Sequence, residues 1–132
     1  MRVFISIAFI LLLSACSGTG SAKRLESLDE AINHYEQAMR WGRYEDAEAY
    51  HMTHDGQRLK FNLGELQKIQ ITAYTVRDRT LHEDLLGADV TGEYSYLSTS
   101  YGTLRHVQFQ KKWWYEEKSK RWFVEGGLPD FK

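Results

Sequence analysis

The sequence has a single cysteine and a single proline in 132 residues. One cysteine, Cys16, excludes an intrachain disulfide and any paired-cysteine zinc site. Charge of one sign is also missing: 17 Lys and Arg face 18 Asp and Glu. No overall positive field exists to hold nucleic acid by counterion release, so a nucleic-acid partner is not expected. A long hydrophobic run is absent as well. The run from Val3 to Leu13 has eleven residues and is broken by Ser6, whereas a helix crossing a bilayer core of about 30 Å needs roughly 20. There is no Gly-rich phosphate loop, no GxSxG word and no HExxH word, which removes the sequence signals for nucleotide, serine-hydrolase and zincin chemistry. The length suits one compact domain, and no internal repeat or second domain is visible.

What is present begins at the N-terminus. Met1-Arg2 supplies a positive charge, Val3–Leu13 an apolar stretch, and Ser14-Ala15-Cys16 a small-residue boundary, which is the layout of an export signal covering residues 1–15. The tetrapeptide Leu13-Ser14-Ala15-Cys16 resembles the bacterial lipobox. The resemblance implies that Cys16 is alkylated by diacylglycerol, becomes the first residue of the mature chain, and is then acylated, as with palmitate. One acyl chain holds a protein marginally and several hold it durably. An ordinary signal peptide cut after Ala15 is the alternative. With Ser17 after the cysteine, the resemblance implies lipid anchoring in an outer membrane, facing the periplasm. Residues 16–24, rich in Gly and Ser, are expected to form a flexible tether. Removing residues 1–15 takes away one Arg and no acid, leaving 16 bases against 18 acids.

The folded domain is expected over residues 25–132. Leu25, Leu28, Ile32, Tyr35 and Met39 recur at steps of three and four and define one helical face, with Ser21 or Ser27 as a candidate cap. Gly42 stops this helix, and Tyr44, Ala47, Tyr50 and Met52 mark a second, so the two form a hairpin. Leu59 to Leu66 reads as one more short turn broken by Gly64. Beyond Gln67 the period changes to two. Ile69, Ile71 and Ala73 oppose Gln70, Thr72 and Tyr74 on a first strand; Ala88, Val90, Gly92, Tyr94 and Tyr96 share one face of a second. Val107, Phe109, Trp113 and Tyr115 share a face of a third, and Arg121 to Glu125 forms a fourth. Reversals are expected at Asp84 to Gly87, at Tyr101-Gly102 and at Glu117 to Lys120. The expected class is α+β, an N-terminal helical hairpin packed on a curved antiparallel sheet of about four strands.

The words AINHYEQAMRWGRYEDAEAY, ADVTGEYSY and FQKKWWYEEKSKRWFVEGGLP resemble the nuclear transport factor two-like fold, also called SnoaL-like or cystatin-like, over roughly Leu25 to the C-terminus. The last word also resembles a group of small proteobacterial lipoproteins ending in Leu-Pro-Asp. The fold resemblance implies a cone closed by helices, used by isomerases, dehydratases, cyclases and pure binding modules alike. In the steroid isomerase branch, a tyrosine seven residues before the turn glycine donates a hydrogen bond, and Tyr35 lies seven before Gly42. That branch also needs a general-base Asp and a second, protonated acid. Asp55 falls in an Asp-Gly turn, and no acid lies on the expected inward face of the second or third strand, so no catalytic residue is assigned.

Other constellations carry less. His51 and His54, three apart beside Asp55, could ligate a metal from a helix, or form a solvated helix end; without further ligands no metal or cofactor is assigned. Lys111, Lys112, Trp113, Trp114 and Tyr115 mix bases with aromatics, but alternation sends Trp113 and Trp114 to opposite sides. The expectation places Trp113 and Tyr115 inside and leaves Trp114 and the bases outside, where Trp114 would suit a partner contact. Tyr35, Tyr50, Tyr94, Tyr96, Trp113 and Trp122 either line a pocket for an apolar ligand or fill a small core. The expected function is a membrane-anchored periplasmic module, non-enzymatic, binding an envelope protein or a small apolar ligand, or pairing as a homodimer through its sheet; a cavity enzyme of the isomerase, cyclase or dehydratase type is the alternative.

Overall fold

A computed structural model of the chain describes residues 17–132, with side chains from Gly20 onward. Residues 1–15, expected to form an export signal, and Cys16 lie outside the described residues.

Helix α1 spans Ser17–Arg40, and its buried stripe contains Leu28, Ile32, Tyr35, Ala38 and Met39, as the spacing requires. It starts eight residues before the expected Leu25, so Ser17 to Arg24 is helical rather than a flexible tether. Once a turn exists, each added residue gains a hydrogen bond for one fixed backbone unit, and Arg24 pins this end to the sheet. Its guanidinium donates to the Leu85 carbonyl and lies 3.6 Å from the centre of the Tyr115 ring. Ser27 does not cap the helix. Its hydroxyl donates back to the Arg24 carbonyl and accepts from the Trp122 indole at 2.9 Å. At the other end Gly42, at φ 71°, closes a Schellman turn: Arg43 N–H donates to Ala38 and Gly42 N–H to Met39.

The short helix α2, Tyr44–Glu48, folds back on α1 and buries Ala47. The expected second helix stops there, and Tyr50 to Met52 instead runs beside the last strand, where Val124 N–H donates to Tyr50 and Met52 N–H to Val124. Helix α3, Leu63–Leu66, is one turn capped by the Asn62 side chain on Glu65 N–H; Gly64 lies within it rather than breaking it.

Strands β1 (Ile69–Leu81), β2 (Gly87–Ser98), β3 (Leu104–Glu116) and β4 (Arg121–Glu125) form an antiparallel meander in chain order. The class is thus α+β, with α1 packed on one face of a four-stranded sheet. β2 buries Ala88, Val90, Tyr94 and Tyr96 on the expected face. In β1 the expected faces are corrected by two bulges. Pairing passes from Ile71 opposite Tyr96 to Ala73 opposite Ser95, leaving Thr72 extra, and from Val76 opposite Gly92 to Asp78 opposite Thr91, leaving Arg77 extra. The first bulge reverses the alternation and turns Tyr74 into the core beside Ile71; together they increase bend and twist. The open β1 edge also carries Arg77, paired with Glu93, and Arg79, paired with Asp29, charges that oppose edge-to-edge association.

On β3 the sheet's outer surface keeps His106, Gln108, Gln110 and Lys112 exposed. Two expectations for this strand are corrected. Trp114 is buried on that outer side with Met52 and Phe123, because the chain after α2 folds over it; its indole donates to the Met52 carbonyl at 2.9 Å. Lys111 points inward. It keeps strict register with Val107, Phe109, Trp113 and Tyr115, and alternation overrides its charge. Among the described residues no helix is long and apolar enough to cross a membrane.

Candidate functional site

The inward lysine builds the least ordinary chemistry in the molecule. Lys111 is only 4% exposed, yet no carboxylate hydrogen-bonds to it. Its Nζ donates to the Tyr35 hydroxyl at 2.9 Å and to the Tyr94 hydroxyl. Four rings surround it: Tyr35 at 4.0 Å, Tyr94 at 5.0 Å, Phe109 at 5.2 Å and Tyr74 at 5.4 Å from Nζ to ring centre. Desolvation penalises the ammonium, so burial pushes the Lys111 pKa well below its ordinary value.

The network continues to His51, which the helix-end reading placed in solvent but which is fully buried. Its position follows from the chain turning out of α2 onto the β4 edge. His51 Nδ1 lies 2.7 Å from the Gly126 carbonyl, a pure acceptor, so Nδ1 carries the proton. Nε2 is then the acceptor and takes the Tyr35 hydroxyl proton at 2.8 Å. The chain of donors runs from Lys111 to Tyr35 to His51 to Gly126. Burial lowers the His51 pKa to about 4, with the Gly126 contact opposing that shift. The same desolvation raises the Tyr35, Tyr74 and Tyr94 hydroxyls above their ordinary range. His51 and the three tyrosines are therefore neutral at pH 7, and burial favours the uncharged form of Lys111 as well. The Tyr74 hydroxyl and the Trp113 indole N–H are buried with no hydrogen-bond partner.

Of the six aromatic residues expected to line a pocket or fill a core, Tyr35, Tyr94, Tyr96, Trp113 and Trp122 are buried and Tyr50 is half-buried at the core margin. Tyr35 is the hub, edge-on to Tyr50, Tyr74 and Trp113 at centroid distances of 5.6 to 6.1 Å. The C-terminal segment covers the core beside Tyr94 and Tyr96. Phe131 packs edge-on against Tyr94 and Tyr96 at 5.3 and 5.1 Å, and the Tyr96 hydroxyl donates to the Lys132 carbonyl. Outside this closure lies a cavity of about 330 Å³ lined by Phe61, Leu66, Leu128 and Phe131 among others.

His54 is separate from His51. Its ring stacks on Trp114 at 4.4 Å and pairs with Glu125. Thus the two histidines do not converge on one ligand position, and among the described residues no group of three His, Cys, Asp or Glu is placed to hold a metal ion. Lys111 and His51 were missed as site residues. The signal for Lys111 is its position between Phe109 and Trp113 in the inward series; the sequence points to His51 only as a metal ligand with His54, and nothing in the local sequence marks its burial.

Comparison with solved structures finds similarity to two bacterial proteins, each described as a "putative polyketide cyclase". One is from Xanthomonas campestris pv. campestris, at 10% identity over 79% of this chain and 93% of that chain, with a TM-score of 0.47. The other is from Pseudomonas putida KT2440, at 15% identity over 75% of this chain and 90% of that chain, with a TM-score of 0.41. No protein-family model matches the chain, and no curated protein does.

Proposed function

We propose that the chain is an envelope lipoprotein, acylated at Cys16 and held on the periplasmic face of an outer membrane, whose domain acts as a non-catalytic binding module. The anchor reading is supported by Leu13-Ser14-Ala15-Cys16 at the end of the apolar run. The observation that carries the binding-module reading is the state of Tyr35. The hydroxyl that an isomerase would aim at substrate is committed to His51 and Lys111, and no carboxylate hydrogen-bonds to any member of that network. The carboxylate base that the isomerase resemblance calls for is not among its members, and Asp55 is bonded to Thr53 at the surface instead.

Metabolic labelling with palmitate, followed by membrane fractionation, tests the anchor. The wild-type protein should incorporate label and sediment with membranes, and Cys16→Ala should do neither. Unlabelled wild type, or a Cys16→Ala variant that still partitions with membranes as lipid-bearing protein, would overturn it.

A further inference from the structure

We propose that Lys111 is a capture site for a small apolar aldehyde or ketone, which enters when Phe131 swings away and is held as an imine on Nζ. This deepens the binding-module reading and is independent of the lipid anchor.

An uncharged lysine amine has two N–H bonds and one lone pair. Two hydroxyl oxygens, on Tyr35 and Tyr94, take the two N–H bonds, so the lone pair has no partner and faces aromatic rings. Burial among rings, with hydroxyls and no carboxylate as partners, favours the uncharged amine, the form in which a lysine is nucleophilic. By contrast, only about one exposed lysine in 2,500 is unprotonated at pH 7, given an ordinary pKa near 10.4. A second feature is compatible with a ligand oxygen: the Tyr74 ring lies 5.4 Å from the amine, and its buried hydroxyl makes no hydrogen bond of ordinary geometry, its nearest polar influence being the Tyr94 hydroxyl. Buried donors of this kind normally find a partner.

Access follows from the C-terminal segment. Residues after Gly126 form neither helix nor strand, and Phe131 separates the outer cavity from Tyr94. Segments with few backbone hydrogen bonds open at lower free energy than the core. Moving this one ring would join the apolar cavity to the hydroxyl and amine floor. The cavity's apolar wall, Phe61, Leu66 and Leu128, suits an apolar body, with Lys60, Glu65 and Asp130 also lining it, and beyond Phe131 the hydroxyl and amine floor selects a carbonyl.

The chemistry balances without another reactant. Nζ attacks the carbonyl carbon, the C=O π pair moves to oxygen, and one amine proton ends on that oxygen. The second amine proton passes through the Tyr35 hydroxyl to His51 Nε2 and returns by the same path to the hydroxyl, which leaves as water. One C–N double bond forms, one C–O double bond breaks, and both amine protons are found in the water.

The test uses the full-length protein in detergent, treated at pH 7 with butanal and cyanoborohydride, which reduces the imine to a stable alkylamine, followed by peptide mapping. Lys112 is an exposed neighbour and serves as the internal reference. The expected result is alkylation of Lys111 about tenfold faster than of Lys112, with Phe131→Ala accelerating Lys111 and leaving Lys112 unchanged. Alkylation of Lys112 with Lys111 untouched in both proteins, or of Lys111 only after unfolding in urea, would overturn the proposal. Continued consumption of butanal beyond one equivalent without reductant would instead overturn the non-catalytic reading while leaving the capture site standing.

Discussion

Gly92→Ala destabilises the domain by about 3 kcal/mol. Gly92 lies on the inward face of β2 at the second β1 bulge, and a methyl there would stand 2.1 Å from the Thr75 carbonyl oxygen and 2.6 Å from the Phe109 ring. The oxygen belongs to backbone held in the β1–β2 ladder and cannot rotate aside. The bend that closes the sheet over α1 therefore needs a residue without a side chain at this point. Gly64→Ala is the control, because its added methyl meets only the Asn62 side chain at 3.5 Å, an ordinary contact in a helical turn. Urea denaturation of the two variants should separate them, with Gly64→Ala within about 0.5 kcal/mol of wild type. Equal losses would mean that the sheet does not bend at Gly92.

Lys111→Met stabilises the domain at pH 7 by about 1 to 2 kcal/mol, even though it removes two hydrogen bonds. Folding the wild type desolvates an amine that is charged when unfolded and weakens its hold on the proton, and the thioether carries no such cost. Replacing a buried ionisable group by an apolar one of similar volume is often stabilising for this reason. The gain is less than the full desolvation cost because the Tyr94 hydroxyl loses its partner. Tyr35 still donates to His51.

The pH dependence has a distinct shape. Lys111 has a lowered pKa in the fold, so below about 10.4 the unfolded chain binds a proton that the native state does not, and stability rises with pH toward that value. His51 acts in the same direction lower down. Its contribution is complete above the unfolded value of about 6.5 and is lost as pH falls toward about 4, for roughly 3 kcal/mol in all. Above about pH 10 the buried tyrosines reverse the trend, since they ionise when unfolded but not in the fold. Wild-type stability should therefore be greatest near pH 10. Lys111→Met should be nearly flat between pH 7 and 10, and a wild-type profile just as flat would contradict this account.

The fold was legible wherever periodicity acts alone. The stripe from Leu28 to Met39, the stop at Gly42 and the β2 series from Ala88 to Tyr96 all stand as the spacing requires. It was not legible at Thr72, because a bulge is an unpaired residue in a ladder and leaves no local mark, and Tyr74 and Val76 change sides before the second bulge at Arg77 reverses the alternation again. Trp114 was misplaced because alternation gives the side of the sheet but not whether another segment covers that side. The site was hidden for two physical reasons. Lys111 occupies an inward position, but its charge argues for solvent until hydroxyls from α1 and β2 are brought to it. His51 follows a helix too short to predict its exit, and its partners come from α1 and from the glycine after β4.

The central claim, an uncharged lysine sealed among hydroxyls and rings, is tested most directly by nitrogen-15 NMR titration of Lys111 Nζ in the folded protein. The account predicts a titration midpoint well below the ordinary lysine value of about 10.4. A midpoint at or above about 10.4 would mean that the four rings hold a charged ammonium, and would contradict it.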